Sequence, residues 1–225
     1  ERVDRELEAI LTCPLTIVAA PMGYGKTTAV RQFIEKRGAQ ALWMSFPTPD
    51  ESGVFFWSQF SEQLGKLDPT VGERLGSLGL PRDAAETGGI LSALNALHCE
   101  EHAILVIDDF HLAKNPAIGE ILSQVAKEEI ENLHIVIVTC DTTNLDLGEM
   151  VSKGTCQLFT ERSLRFTEPE IRRYCSLNRR RLAGKDLTQL AEYTGGCISL
   201  VYLILLGMDR GIPVRMNATV YELVE

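Results

Sequence analysis

The chain has 225 residues, of which 45% are hydrophobic and 24% charged, with a net charge of −9 at pH 7. That is enough apolar material for one large or two small globular domains, which typically run to roughly 100–200 residues each. The acidic excess argues against this chain gripping a nucleic-acid backbone, which needs a basic face.

In chain order, residues 1–14 carry Leu7, Ile10 and Leu11 at helical spacing and are expected to form a helix that Pro14 ends. No signal-peptide pattern opens the chain. "LTIVAA" (15–20) is a β-branched run expected to form a buried strand, followed by a glycine-rich turn and a helix from about Gly25 to Lys36. "AQALWMS" (39–45) is a second strand, and "VFFWSQFSEQLGKL" (54–67) is an amphipathic helix. Residues 68–89, rich in Gly, Pro, Asp and Thr, are expected to be a long connection with one short helix, before a helix over 89–98. "AILVIDDF" (103–110) is an unbroken apolar run closed by two acids, the pattern of a parallel strand covered on both faces. A helix over 118–130 and strands over 133–139 and 156–160 complete the alternation, which implies βαβ units around a parallel sheet. After Thr160 strand signals stop. "FTEPEIRRYCSLN" (166–178) opens on a Thr167/Glu170 capping box, and "KDLTQLAEYTGG" (185–196) is expected to end at a glycine cap, Gly195–Gly196. "CISLVYLILLGM" (197–208) is too short for a bilayer crossing of roughly 20 residues and reads as a buried helix. The expected fold class is therefore α/β, with a five-stranded, mainly parallel sheet between helices in 1–160 and a small all-α subdomain in 161–225. The chain begins without methionine and ends on "VYELVE", as expected of a fragment.

"AAPMGYGKTTAV" (19–30) nearly fits G-x-x-x-x-G-K-[ST], with Ala20 in place of the first glycine. It lies between a strand and a helix, the setting a phosphate-binding loop requires. The main-chain amides between Pro21 and Thr28, including those of Met22 and Tyr24, would curl round the anion at the helix's positive end, Gly23 and Gly25 allowing the curl. Lys26 would reach the β- and γ-phosphates, Thr27 would ligate Mg²⁺, and Thr28 would bond the α-phosphate. In "ILVIDD" (104–109), Asp108 would hold the Mg²⁺ shell, and Asp109 would orient or deprotonate an attacking water. Lys26 and Asp109 are thus the candidate catalytic residues. Together these two features point to a P-loop ATPase. Thr139 is a candidate γ-phosphate sensor as well as an ordinary strand-terminal threonine.

Three other features admit blander readings. His111 either lines the site or caps a loop. "HCEEH" (98–102) hints at metal ligation but lacks a closing fourth ligand. "RRYCSLNRRR" (172–181) is read as a solvated helix face or an intramolecular contact. The six cysteines, 13, 99, 140, 156, 175 and 197, form no C-x-x-C pair and fit reduced thiols in a cytoplasmic protein.

"LTIVAAPMGYGKTT", "FFWSQF", "ILVIDDFHL", "LHIVIVT", "LRFTEPEI" and "YTGG" follow one another in an order that resembles the maltose-regulator-like, LuxR-type ATPases of the STAND group. The resemblance covers Arg2 to about Leu206. It implies a bacterial transcription regulator in which ATP or ADP with Mg²⁺ sets a slow switch. It also implies inducer sensing, a winged helix and a DNA-binding helix-turn-helix in domains outside this chain, with nucleotide-dependent self-association; no membrane contact is expected, from the shortness of the apolar runs. Arg2 matches the family's arginine near the adenine. Two departures stand out. Cys140 follows Thr139 where the family has arginine, and Gly196-Cys197-Ile198 replaces Gly-x-Pro. Nucleotide binding survives both changes; turnover and the helical subdomain's grip on ADP are what they put at risk. The other readings are a P-loop small-molecule kinase and a nucleotide-binding scaffold without turnover.

Overall fold

The computed structural model describes residues 2–143, 145, 151 and 154–209. They fall into two compact units: Glu1–Ala20 with Lys26–Thr160, and Pro21–Gly25 with Glu161–Glu225.

The first unit begins with α1 (Arg2–Glu6), which tightens into a 3-10 helix at Leu7–Leu11 instead of running on as one helix. A three-residue repeat places Leu7 and Ile10 on one side, and both are fully buried. Then come β1 (Leu15–Ala19), α2 (Lys26–Arg37), β2 (Gln40–Ser45), α3 (Val54–Gly65), α4 (Pro69–Leu78), α5 (Ala84–Leu94), β3 (Ala103–Asp108), α6 (Pro116–Lys127), β4 (Leu133–Thr139) and β5 (Cys156–Phe159).

The segment expected to be a long connection contains α4 and the first half of α5. Its polar residues are helix starts rather than loop. The Asp68 carboxylate accepts from the amides of Thr70 and Val71, with Pro69 in the first turn, and Asp83 accepts from Glu86. The helix expected over 89–98 accordingly begins at Ala84 and ends at Leu94.

All strand pairings are parallel, in the order β2-β3-β4-β1-β5. Both faces of the sheet are covered, which is why its strands read as continuous apolar runs. Leu15, Ile17, Leu105, Ile107, Ile135 and Ile137 join Phe56, Phe60, Leu64, Ile118 and Leu122 in one core. Val18, Ile104, Val106, Val136 and Val138, of alternate parity, are equally buried. A buried carboxylate ties the loops beyond β2 and β3 together. Asp50 accepts from the amides of Gly53 and Phe56, both at 2.9 Å, while its main chain bonds Leu112 and Lys114.

The second unit has α7 (Glu161–Leu164), α8 (Glu168–Leu177), α9 (Gly184–Thr194) and α10 (Ile198–Asp209). The expected capping box is present: the Thr167 amide donates to Glu170 at 2.8 Å. Gly195 takes the left-handed conformation that ends α9, with φ 56°. Ile171, Cys175, Leu187, Leu190, Val201, Ile204 and Leu205 form its core. The loop Pro21–Gly25 is held at the start of α10, where the Ser199 amide donates to the Gly23 carbonyl at 3.1 Å.

Candidate functional site

The strand order decides what meets at the C-terminal edge of the sheet. β4 lies between β1 and β3, so the tip of β4 separates the residues that follow β1 from the acids that end β3. Ligands of parallel α/β sheets bind at this edge, beyond the carboxyl ends of the strands.

Lys26, the first residue of α2, donates its ammonium to the Ala20 carbonyl at 2.7 Å and lies 3.6 Å from Cys140 Sγ. Thr27 donates its hydroxyl to Asp108 Oδ1 at 3.2 Å across 81 residues of sequence. Asp108 is only 6% exposed. Burial, with the neighbouring Asp109 charge, pushes its carboxyl above the usual range, against the Asp109 amide, the Thr27 hydroxyl and the Lys26 charge. Asp109 is exposed, and its backbone is left-handed at φ 54°. Its Oδ2 accepts from Ser45 Oγ at 3.2 Å.

Between β1 and α2, Gly23 and Gly25 have φ of 89° and 73°, a conformation that a side chain would strain. Left-handed residues alternating with ordinary ones turn successive amides toward a common centre, the geometry of an anion nest. Met22 is 83% exposed, and Pro21 and Thr28 are also exposed. Burial raises the Tyr24 phenol, with Cys197 and Glu161 adding to the effect. Thr139 is buried, and its hydroxyl donates to the Asp141 carbonyl at 2.7 Å, closing the turn after β4. Arg2 pairs with Glu6 at 3.4 Å on α1. His111 Nδ1 is buried with no hydrogen-bond partner among the described residues.

The "HCEEH" residues do not gather as ligands: among the described residues no three His, Cys, Asp or Glu side chains cluster to hold a metal. His102 instead meets His134, with 2.8 Å between Nδ1 and Nε2. In the basic cluster Arg172 is exposed and pairs with Glu168 at 3.1 Å. Ser45 and Asp50 were absent from the sequence candidates. Ser45 is placed by its register with Asp108, a pairing that local sequence does not encode.

Among solved structures, the Walker-type ATPase PABY2304 of Pyrococcus abyssi superposes over 94% of this chain and 67% of its own, with a TM-score of 0.57 and 15% identity. The fold is that of a P-loop NTPase. The RuvB Holliday junction branch migration motor of Thermotoga maritima matches 98% of the chain and 65% of its own at a TM-score of 0.51 and 17% identity. At such identities the likeness is one of fold.

No protein-family model matches the chain. Among curated proteins, the serine/threonine-protein kinase PknK of Mycobacterium tuberculosis is 24% identical over 204 residues, 88% of this chain and 18% of the relative. The HTH-type transcriptional regulator MalT of Cronobacter sakazakii is 24% identical over 213 residues, 92% of this chain and 23% of the relative. The resemblance read from the motifs thus has a counterpart, over 92% of this chain, in an HTH-type transcriptional regulator. The chain of this P-loop NTPase fold spans about a fifth of the length of these curated relatives. No helix among the described residues is long and apolar enough to cross a membrane.

Proposed function

We propose that this chain is the ATP- or ADP-binding switch module of a cytoplasmic, LuxR-type transcription regulator, with residues 1–160 as the nucleotide domain and 161–225 as a helical subdomain. The observation that carries the reading is the meeting of Thr27 and Asp108 at 3.2 Å beside the Lys26 ammonium. A hydroxyl and a carboxylate held together in this way suit Mg²⁺, which is usually bound by one or two carboxylates plus substrate phosphates and water. Bound there, the ion would neutralise phosphate charge. The loop amides of Met22–Gly25 would cradle the phosphates, Lys26 would bind the β- and γ-oxygens, and Thr28 the α-phosphate. Asp109 would orient the attacking water in a slow hydrolysis. Arg2 would lie near the adenine and Thr139 near the γ-phosphate.

Inducer sensing, DNA binding through a helix-turn-helix and nucleotide-dependent self-association would belong to the longer protein, as the MalT likeness suggests. One feature favours a second reading, binding without turnover. The position at which the resembling regulators carry arginine is here Cys140, whose thiol faces Lys26 and brings no positive charge.

Calorimetric titration with ATP, ADP and AMP in the presence of Mg²⁺ tests the proposal. Saturable binding of ATP and ADP, with AMP weaker, is expected, because AMP lacks the phosphates that Lys26 would hold. No binding of any of the three would overturn the reading, and phosphate transfer to a small molecule instead of water would replace it with the kinase reading.

A further inference from the structure

Ser45 ends β2 in register with Asp108 at the end of β3, and its hydroxyl donates to Asp109 Oδ2 at 3.2 Å. The two acids are held in different ways. Asp108 is buried and bonded to the Asp109 amide at 2.9 Å and to the Thr27 hydroxyl at 3.2 Å. Asp109 is exposed, and its left-handed backbone, φ 54° and ψ 34°, swings its side chain out of line with the strand. Non-glycine residues adopt that conformation uncommonly, and such residues cluster at functional sites. Because Ser45 belongs to a strand and Asp109 begins a turn, the hydroxyl fixes a carboxylate that its own backbone leaves free to rotate.

We propose that Ser45 is a positioning residue for hydrolysis: it holds Oδ2 of Asp109 so that Oδ1 faces the attacking water. This rests on the reading of the site as an ATPase. In the reaction the water oxygen bonds the γ-phosphorus as the bond to the ADP oxygen breaks. The water's proton passes to Asp109 Oδ1 and then to solvent. A group that orients the base without touching substrate should act on kcat and leave affinity alone.

Steady-state ATP hydrolysis and calorimetric ATP affinity are measured for the protein and for Ser45→Ala and Ser45→Thr. The expected result is a fall in kcat of about tenfold in Ser45→Ala, with KM and affinity unchanged and kcat restored in Ser45→Thr, which keeps the hydroxyl. If the unaltered protein hydrolyses ATP and Ser45→Ala matches it, the positioning role is wrong while the ATPase reading stands. If Ser45→Ala loses kcat and affinity together, Ser45 is a binding or structural residue and the proposal is overturned. If the unaltered protein binds ATP without hydrolysing it, there is no reaction for Ser45 to serve, and the proposal falls together with the turnover part of the function.

Discussion

The two ends of the first unit's sheet both bury polar side chains, and they satisfy them differently. Where the strands begin, His134 is 8% exposed. Its Nδ1 lies 3.1 Å from the Cys13 carbonyl, which can only accept, so Nδ1 carries the proton. Nε2 then accepts from His102 Nδ1 at 2.8 Å. Neutral His134 is therefore fully bonded, and burial, with the His102 charge, holds its pKa below the usual value. Where the strands finish, Asp108 is as buried, but its carboxyl is raised, because a hydroxyl, an amide and a nearby ammonium do not offset the loss of water. The lesson is electrostatic. A closed set of partners builds structure, whereas a buried acid held at such a cost is where a cation and its anionic ligand would be stabilised.

Replacing His134 breaks this comparison most strongly. In His134→Leu the Cys13 carbonyl loses its donor inside the fold, which should cost about 2 kcal/mol in urea unfolding and leave ADP affinity unchanged. The same variant should lose a pH dependence. With the folded pKa of His134 below its ordinary 6.5, the stabilisation is present above that value and fades as pH falls through the folded pKa. Stability measured by urea unfolding between about pH 7.5 and 5 should therefore slope with pH in the unaltered protein and flatten in the variant. Equal slopes in both would mean that His134 does not titrate as its burial says.

Asp108→Asn sharpens the contrast with a smaller effect of opposite sign. A raised carboxyl stabilises only when protonated, a contribution present below the ordinary 3.8 and lost as pH rises through the higher folded value. At pH 7 the neutral amide, which still accepts from Thr27, should raise stability without nucleotide, read as a higher urea midpoint. Mg²⁺ should then add little to the binding of ADP. A less stable variant with intact Mg²⁺ dependence would place the metal elsewhere.

The strands and the glycine-rich turn after β1 were legible in the sequence because both signals are local. A parallel strand covered on two faces must be apolar throughout, and Gly-x-Gly-Lys-Thr specifies its own turn. Residues 68–89 misled because Asp68, Pro69 and Asp83 are common to loops and to helix starts, and only the hydrogen bonds tell them apart. Leu7 and Ile10 carried no mark to separate an α-helix from a 3-10 helix. Ser45 and His134 could not be found locally. Each takes its meaning from strand register, Ser45 beside Asp108 and His134 beside Ile104, which brings together residues far apart in the chain. The "HCEEH" run suggested a cluster within five residues, but His102 finds its partner 32 residues away.

Thermal unfolding with and without Mg²⁺-ADP, in the unaltered protein and in Lys26→Ala, tests the central claim most directly. A ligand that binds only the folded state at about a hundred times its Kd stabilises by about 2.7 kcal/mol. The unaltered protein should therefore show a rise of several degrees in Tm, and Lys26→Ala should show none while unfolding as cooperatively as before. An equal rise in both would contradict the assignment of this loop as the phosphate site.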